Sequence, residues 1–160
     1  MARRVSTSLD TSGIGAQNYK MLLHVVSRGK IGRSPEGELV ERYAKRIAWP
    51  LKLTELPERG GNVPPLPNPY RSVVLDERGR DLTSSEFASQ LARWRDDGVR
   101  EARFWIGAAD GHDQALRDSA DLLLRFGAAT WPHLLARAML MEQLWRATSI
   151  IAGHPYHREG

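Results

Sequence analysis

The sequence predicts an α/β fold built on a mostly parallel sheet, and three observations carry that prediction. From Met21 onward, short apolar runs alternate with longer stretches whose apolar residues recur at helical spacing. The helical stretches open on side chains able to cap a helix N-terminus. Glycine or proline punctuates most of the junctions between them. In 160 residues, 41% apolar and 26% charged, this pattern suits one domain with a core of its own.

Taken in order, Met21 to Val26 reads as a buried strand. Ser34 is the N-cap of the first helix, with Pro35 at its first position and Glu36 and Glu38 near the positive end of the helix dipole. Leu39, Val40, Tyr43 and Ile47 share one helical face, and Trp49-Pro50 stops the helix. Leu51, Leu53 and Glu55 alternate weakly, as an edge strand does. Pro57 to Pro69 holds five prolines and Gly60-Gly61, which excludes regular structure and predicts a mobile loop. Arg59 and Arg71 in or beside it suit a substrate-contacting arm, but length alone favours a plain connector.

Ser72 to Leu75 is the next strand. Thr83 and Glu86 form a capping-box pair ahead of a helix with Phe87, Leu91 and Trp94 on one face, closed by Gly98. Ala102 to Ile106 is a core strand that runs into the turn Gly107-Ala108-Ala109-Asp110-Gly111. Asp113 caps a helix with Leu116, Ala120, Leu123 and Leu124 facing inward. Ala128 to Trp131 then reads as a short strand, followed by Pro132 and a long apolar helix from Leu134 to Ile151. Trp94 and Trp145 fall on core-like helical positions, Trp105 and Trp131 on strands, so the tryptophans read as packing residues.

Composition narrows the function classes. There is no cysteine, which removes disulfides and thiolate chemistry and agrees with a reducing cytoplasm. No run approaches the ~18 apolar residues of a membrane helix. The net charge of +4 is compatible with a nucleic-acid partner without requiring one. Part of it lies in residues 1–20, a Ser, Thr and Gly-rich stretch without apolar periodicity. Its Arg3-Arg4 pair precedes no apolar segment, so it makes a poor export signal and reads as a disordered extension ahead of one domain, residues 21–160.

In open parallel sheets, ligands bind beyond the carboxyl ends of the strands. Three loops lie there: the one after Leu75, the glycine turn 107–111, and residues 126–132. Glycine lets a ligand approach the main chain closely, although the turn is neither GxGxxG nor a P-loop and alone reads as a tight strand-to-helix connection. No G-x-S-x-G elbow occurs, and Asp96-Asp97 reads as a solvated helix end. His154 and His157 are three apart, with His133 the only other nearby nitrogen ligand and no thiolate, so no structural metal site is expected. The segment His154-Pro155-Tyr156-His157-Arg158-Glu159-Gly160 concentrates two of five histidines with a tyrosine and an arginine directly after the long apolar helix, which marks a site.

From Val73 to Glu159 the chain resembles the ribosomal RNA large subunit methyltransferase H family. The resemblance rests on Val74-Leu75-Asp76, Arg93-Trp94, Asp97-Gly98, Ile106-Gly107, Trp131-Pro132-His133, Leu144-Trp145-Arg146-Ala147 and His154 through Glu159; the half from Met21 fits more loosely. It implies the α/β-knot (SPOUT) fold, with a C-terminal trefoil knot that periodicity could not disclose. It implies S-adenosylmethionine as cofactor, lined by Leu75, Gly107, Phe126, Gly127, Ala128, Ala129, Thr130 and Trp131, mostly through backbone groups. It implies a homodimer packed through the long C-terminal helix, and methylation of N3 of a pseudouridine in 23S rRNA of the ribosome or its large subunit. The family turn usually reads Gly-Gly-Pro-Glu-Gly. Ala108 and Asp110 depart from it, and Ala108 restricts φ.

Methyl transfer from a sulfonium is an in-line displacement, so alignment dominates catalysis. N3 carries a proton, and a histidine near neutral pKa suits its removal. His157 and His154 are the candidate bases, Tyr156 can stack on or hydrogen-bond the uracil, and Arg158 and Arg146 can hold phosphate or developing negative charge. Two alternatives stay open: a ribosome-binding factor of the same fold with weakened catalysis, and a knotted methyltransferase for another RNA.

Overall fold

The computed structural model describes residues 21–107 and 112–153. The strands β1 (Leu22–Arg28), β2 (Leu51–Leu56), β3 (Tyr70–Asp81), β4 (Glu101–Ile106) and β5 (Leu122–Arg125) form one sheet in the order β2-β1-β4-β3-β5. Every adjacent pair is parallel. Between them run α1 (Pro35–Ala44), α2 (Ser84–Asp96), α3 (Gln114–Ser119) and α4 (His133–Ile151).

The caps sit where the sequence places them. Ser34 accepts from the Gly37 N–H with Pro35 opening α1, Thr83 and Glu86 close the reciprocal capping box of α2, and Asp113 accepts from the Leu116 N–H. Gly98 turns the chain after α2 with φ of 85°. The crossovers β1-α1-β2 and β3-α2-β4 step the same way across the sheet, so their right-handed sense puts both helices on one face. The long helix α4 packs against both. Its Leu140, Met141 and Leu144 meet Leu23, Val73, Leu91 and Phe104 in the main core. Burying such side chains contributes roughly 1.5–3 kcal/mol each.

On the opposite face the sheet buries charge. Arg103 and His24 are fully buried, and both reach the Glu101 carboxylate: Arg103 Nε donates at 2.6 Å and His24 Nδ1 lies at 2.9 Å. With that nitrogen donating, His24 Nε2 accepts from the Thr54 hydroxyl at 2.8 Å. Burial alone would raise the Glu101 pKa, but the hydrogen bonds from His24 and Arg103 outweigh it and hold the carboxyl below its ordinary value. The rest of the Arg103 guanidinium donates to Pro64 O at 2.6 Å and Pro65 O at 3.1 Å. Arg28 donates to Pro57 O at 3.0 Å and also to Gly60 O. The proline-rich connector, expected to be mobile, is therefore tied to the sheet at both of its limbs.

Three expectations are corrected. The first helix ends at Ala44, ahead of Trp49-Pro50, and leaves Ile47 and Trp49 to be buried from a turn. Leu123 and Leu124 belong to β5, because α3 is only six residues long and stops where Ala120 turns extended. Asp121, just before β5, docks the strand on β3: its N–H donates to Ser72 O at 2.8 Å and its carboxylate accepts from the Ser72 N–H at 2.7 Å. Ala128 to Trp131 is consequently not a strand, and Trp131 is 42% exposed rather than packed within the sheet.

Candidate functional site

The carboxyl ends of the strands form a rim. From one side to the other lie Leu56, Gly29, Gly107, Leu75 and Arg125, at or just beyond the ends of β2, β1, β4, the first limb of β3, and β5. Residue 126 leaves the rim beside β3. His133, which opens α4, has arrived next to Gly29, where a Cβ would stand 3.9 Å from His133 Cε1. Residues 126–132 thus cross the rim from β5 to β1, past the ends of β3 and β4. That crossing runs past the strand ends that carry Leu75 and Gly107, although these residues are far apart in sequence.

The crossing segment is shaped by backbone bonds. Gly127 has φ of 86°, in the left-handed region that favours glycine, and its N–H donates to Asp81 Oδ1 at 2.9 Å. Trp131 Nε1 donates to Phe126 O at 2.8 Å and closes the intervening residues into a loop. Gly127, Ala128, Ala129 and Thr130 are exposed, whereas Phe126 and Leu75 are half-buried against the core. The result is a loop with accessible main chain above two apolar side chains, which suits a largely apolar ligand held by backbone groups.

Leu75 marks an irregularity. Leu75 and Arg80 both stand opposite Leu124, so residues 76–79 leave the ladder between them. Beside this excursion, His112 Nε2 is 3.0 Å from Leu75 O and acts as the donor. Burial lowers the His112 pKa, which favours the neutral ring. Asp76 accepts from the Arg78 N–H at 2.8 Å and pairs with Arg117 at 3.6 Å, and Arg117 also donates to His112 O.

At the far end of the rim, Arg137 is buried one turn after His133. Its guanidinium donates to Glu55 Oε2 at 2.7 Å and to Arg28 O and Gly29 O at 3.2 Å each. Burial lowers the Arg137 pKa and the Glu55 carboxylate opposes that shift, so the arginine stays charged. It pins the start of α4 over the ends of β1 and β2. Among the described side chains, His133 Nδ1 is buried without a partner.

Arg146 is placed differently from the rim residues. It pairs with Glu142 one turn earlier, with Nε at 3.1 Å, and stacks on Trp145 at 6.0 Å, both on its own helix. Trp145 meets Tyr43 of α1 and Arg46. His154, Tyr156, His157 and Arg158 lie outside the described residues, as do Ala108 and Asp110. Sequence reasoning missed Asp81, His112 and Arg137. Only Arg137 left a signal, as a charge inside an otherwise apolar helical stretch.

Comparison with known proteins shows the family and the fold. Residues 21–157 match the family described as "Predicted SPOUT methyltransferase". The chain is 77% identical over 141 residues to ribosomal RNA large subunit methyltransferase H of Novosphingobium aromaticivorans, covering 88% of this chain and 100% of that protein. It is 70% identical over 140 residues to the protein of the same name from Erythrobacter litoralis, with 88% and 100% covered. A crystal structure of a probable methyltransferase from Bordetella pertussis superposes with a TM-score of 0.53 over 86% of this chain and 99% of that one, at 12% identity, and so shares the fold. The chain therefore belongs to the SPOUT methyltransferase family, in the branch of the ribosomal RNA large subunit methyltransferase H proteins.

Proposed function

We propose that this protein is an S-adenosylmethionine-dependent methyltransferase that methylates N3 of a pseudouridine in 23S rRNA, acting in the cytoplasm as a homodimer on the ribosome or its large subunit. The observation that supports the reading is the rim, where one exposed backbone loop crosses the strand ends on its way from β5 to β1. The relatives named ribosomal RNA large subunit methyltransferase H, matched along their full length, support the RNA substrate.

The residues present fit the cofactor. Gly127 at φ of 86° and the exposed main chain of Ala128 to Thr130 offer N–H and C=O groups, while Leu75, Phe126 and Trp131 offer apolar walls for a nucleoside. Bound S-adenosylmethionine would supply the electrophilic methyl carbon of a sulfonium. Passage of residues 126–132 over the rim into α4 is the part of the path that would close the trefoil knot.

The chain's own residues then have separate tasks. The rim aligns the cofactor, and alignment supplies most of the rate in an in-line displacement. His157, or His154, withdraws the N3 proton, and Tyr156 fixes the uracil plane. Arg158 and Arg146 oppose the negative charge that develops on the uracil oxygens. Arg146 pairs with Glu142 of its own helix, so acting on the uracil would require it to exchange that carboxylate for the substrate. Methyl transfer to large subunits by the His157→Ala protein tests the assignment. A loss of roughly 10²–10⁴-fold in turnover is expected for a general base; unchanged turnover at saturating substrates eliminates His157.

A further inference from the structure

We infer that Asp81 is a positioning residue for the cofactor loop, acting by fixing where the crossing segment leaves the sheet. The inference rests on the cofactor reading above and extends it to a residue outside the predicted pocket. It begins at Gly79. A Cβ there would lie 2.7 Å from Leu123 C and from Leu124 N, so only glycine lets the second limb of β3 close against β5. That contact resets the register and brings Asp81 opposite Arg125. The Asp81 carboxylate then accepts from Arg125 Nε and Nη2, both at 3.1 Å, and from the Gly127 N–H at 2.9 Å.

Both side chains of the pair are substantially exposed, 51% for Asp81 and 32% for Arg125, and exposed ion pairs contribute little to folding. The local consequence is larger. The carboxylate holds Gly127 in its left-handed conformation at the first turn of the segment, and Trp131 closes the segment from its other end. Asp81 thereby ties the end of β3, the strand that carries Leu75, to the start of the segment that Phe126 opens after β5. A cleft bounded by Asp81, Phe87, Phe126 and Gln143 opens beside this junction. Loss of the carboxylate frees the loop and leaves the ligand to order it on binding, which weakens affinity without touching the reacting atoms.

The test uses the full chain, with S-adenosylmethionine binding by calorimetry and steady-state methylation of large subunits. Asp81→Ala should raise the Kd and KM for S-adenosylmethionine about tenfold and change kcat and the KM for the ribosomal substrate less than about twofold. Arg125→Ala should have a smaller effect, because the bond to Gly127 survives. Asp81→Asn, which keeps an acceptor, should recover part of the affinity. Amide exchange at Gly127 should quicken in Asp81→Ala. Wild-type binding matched by Asp81→Ala would overturn the inference and leave the cofactor reading standing. Faster exchange at unchanged affinity would equally overturn it, making the contact merely structural. Wild-type protein that does not bind S-adenosylmethionine would overturn the cofactor reading and the inference together.

Discussion

Glu101 shows how much a single residue can hold. Its carboxylate lies beneath the sheet with His24 and Arg103, and Arg103 passes the constraint on to Pro64 and Pro65. Its folded pKa is lowered from an ordinary 4.5, so the stability it contributes is present above that value and is lost as pH falls through the folded value. Acid titration of the melting temperature should therefore show wild type losing stability below about pH 4.5, with Glu101→Gln showing a shallower slope. At neutral pH Glu101→Gln leaves the buried Arg103 uncompensated and should cost roughly 3–5 kcal/mol by denaturant unfolding. Gly127 is the second residue of consequence. A Cβ at this position would meet nothing within 4 Å, so Gly127→Ala meets no clash, and its cost is conformational. About 1 kcal/mol of stability and a measurable loss of S-adenosylmethionine affinity are expected. Residues of this kind were partly legible. Ser34, Thr83 and Asp113 announce themselves because a cap is a local contract between neighbours. Asp81 and His112 do not, because their partners lie tens of residues away in sequence.

At the scale of elements, the capping box of α2 and the anchoring of α4 make separable contributions. Thr83→Ala removes the acceptor for the Glu86 N–H and should cost about 1 kcal/mol, read as a lower melting temperature. Arg137→Met removes the ties to Glu55, Arg28 O and Gly29 O and should cost about 2 kcal/mol. Its more telling result would be fast amide exchange confined to the first turns of α4, accompanied by weaker cofactor binding. The stretch from Gln114 to Trp131 is where element assignment failed. Leu116, Ala120, Leu123 and Leu124 keep a helical period, but the backbone changes state at Ala120. The signal that wins is Asp121 pairing with Ser72, a contact between strands that no window of neighbouring residues contains. Once Leu122 to Arg125 form the strand, residues 126–132 are released to be the loop that crosses the strand ends toward β1.

For the molecule as a whole, the alternation of strands and helices was legible and the strand order was not. Periodicity says that β3 is buried; it does not say that β4 and β5 flank it. The rim depends on that order, since only a crossing from β5 to β1 carries residues 126–132 past Leu75 and Gly107. The resemblance carried by Trp131-Pro132-His133 and the His154 to Glu159 stretch supplied what physical patterning could not, namely a cofactor and an RNA. In the proposed homodimer, α4 is the packing element, and sedimentation of the purified protein should give twice the chain mass of 18.0 kDa. The most direct test is enzymatic. Large ribosomal subunits lacking the modification, incubated with the protein and methyl-labelled S-adenosylmethionine, can be digested and their nucleosides resolved by mass spectrometry. The account predicts a single labelled species, a pseudouridine methylated at N3 in 23S rRNA, and loss of the label with His157→Ala. Absence of transfer to the subunit, or transfer to a different nucleotide or to tRNA, would contradict it.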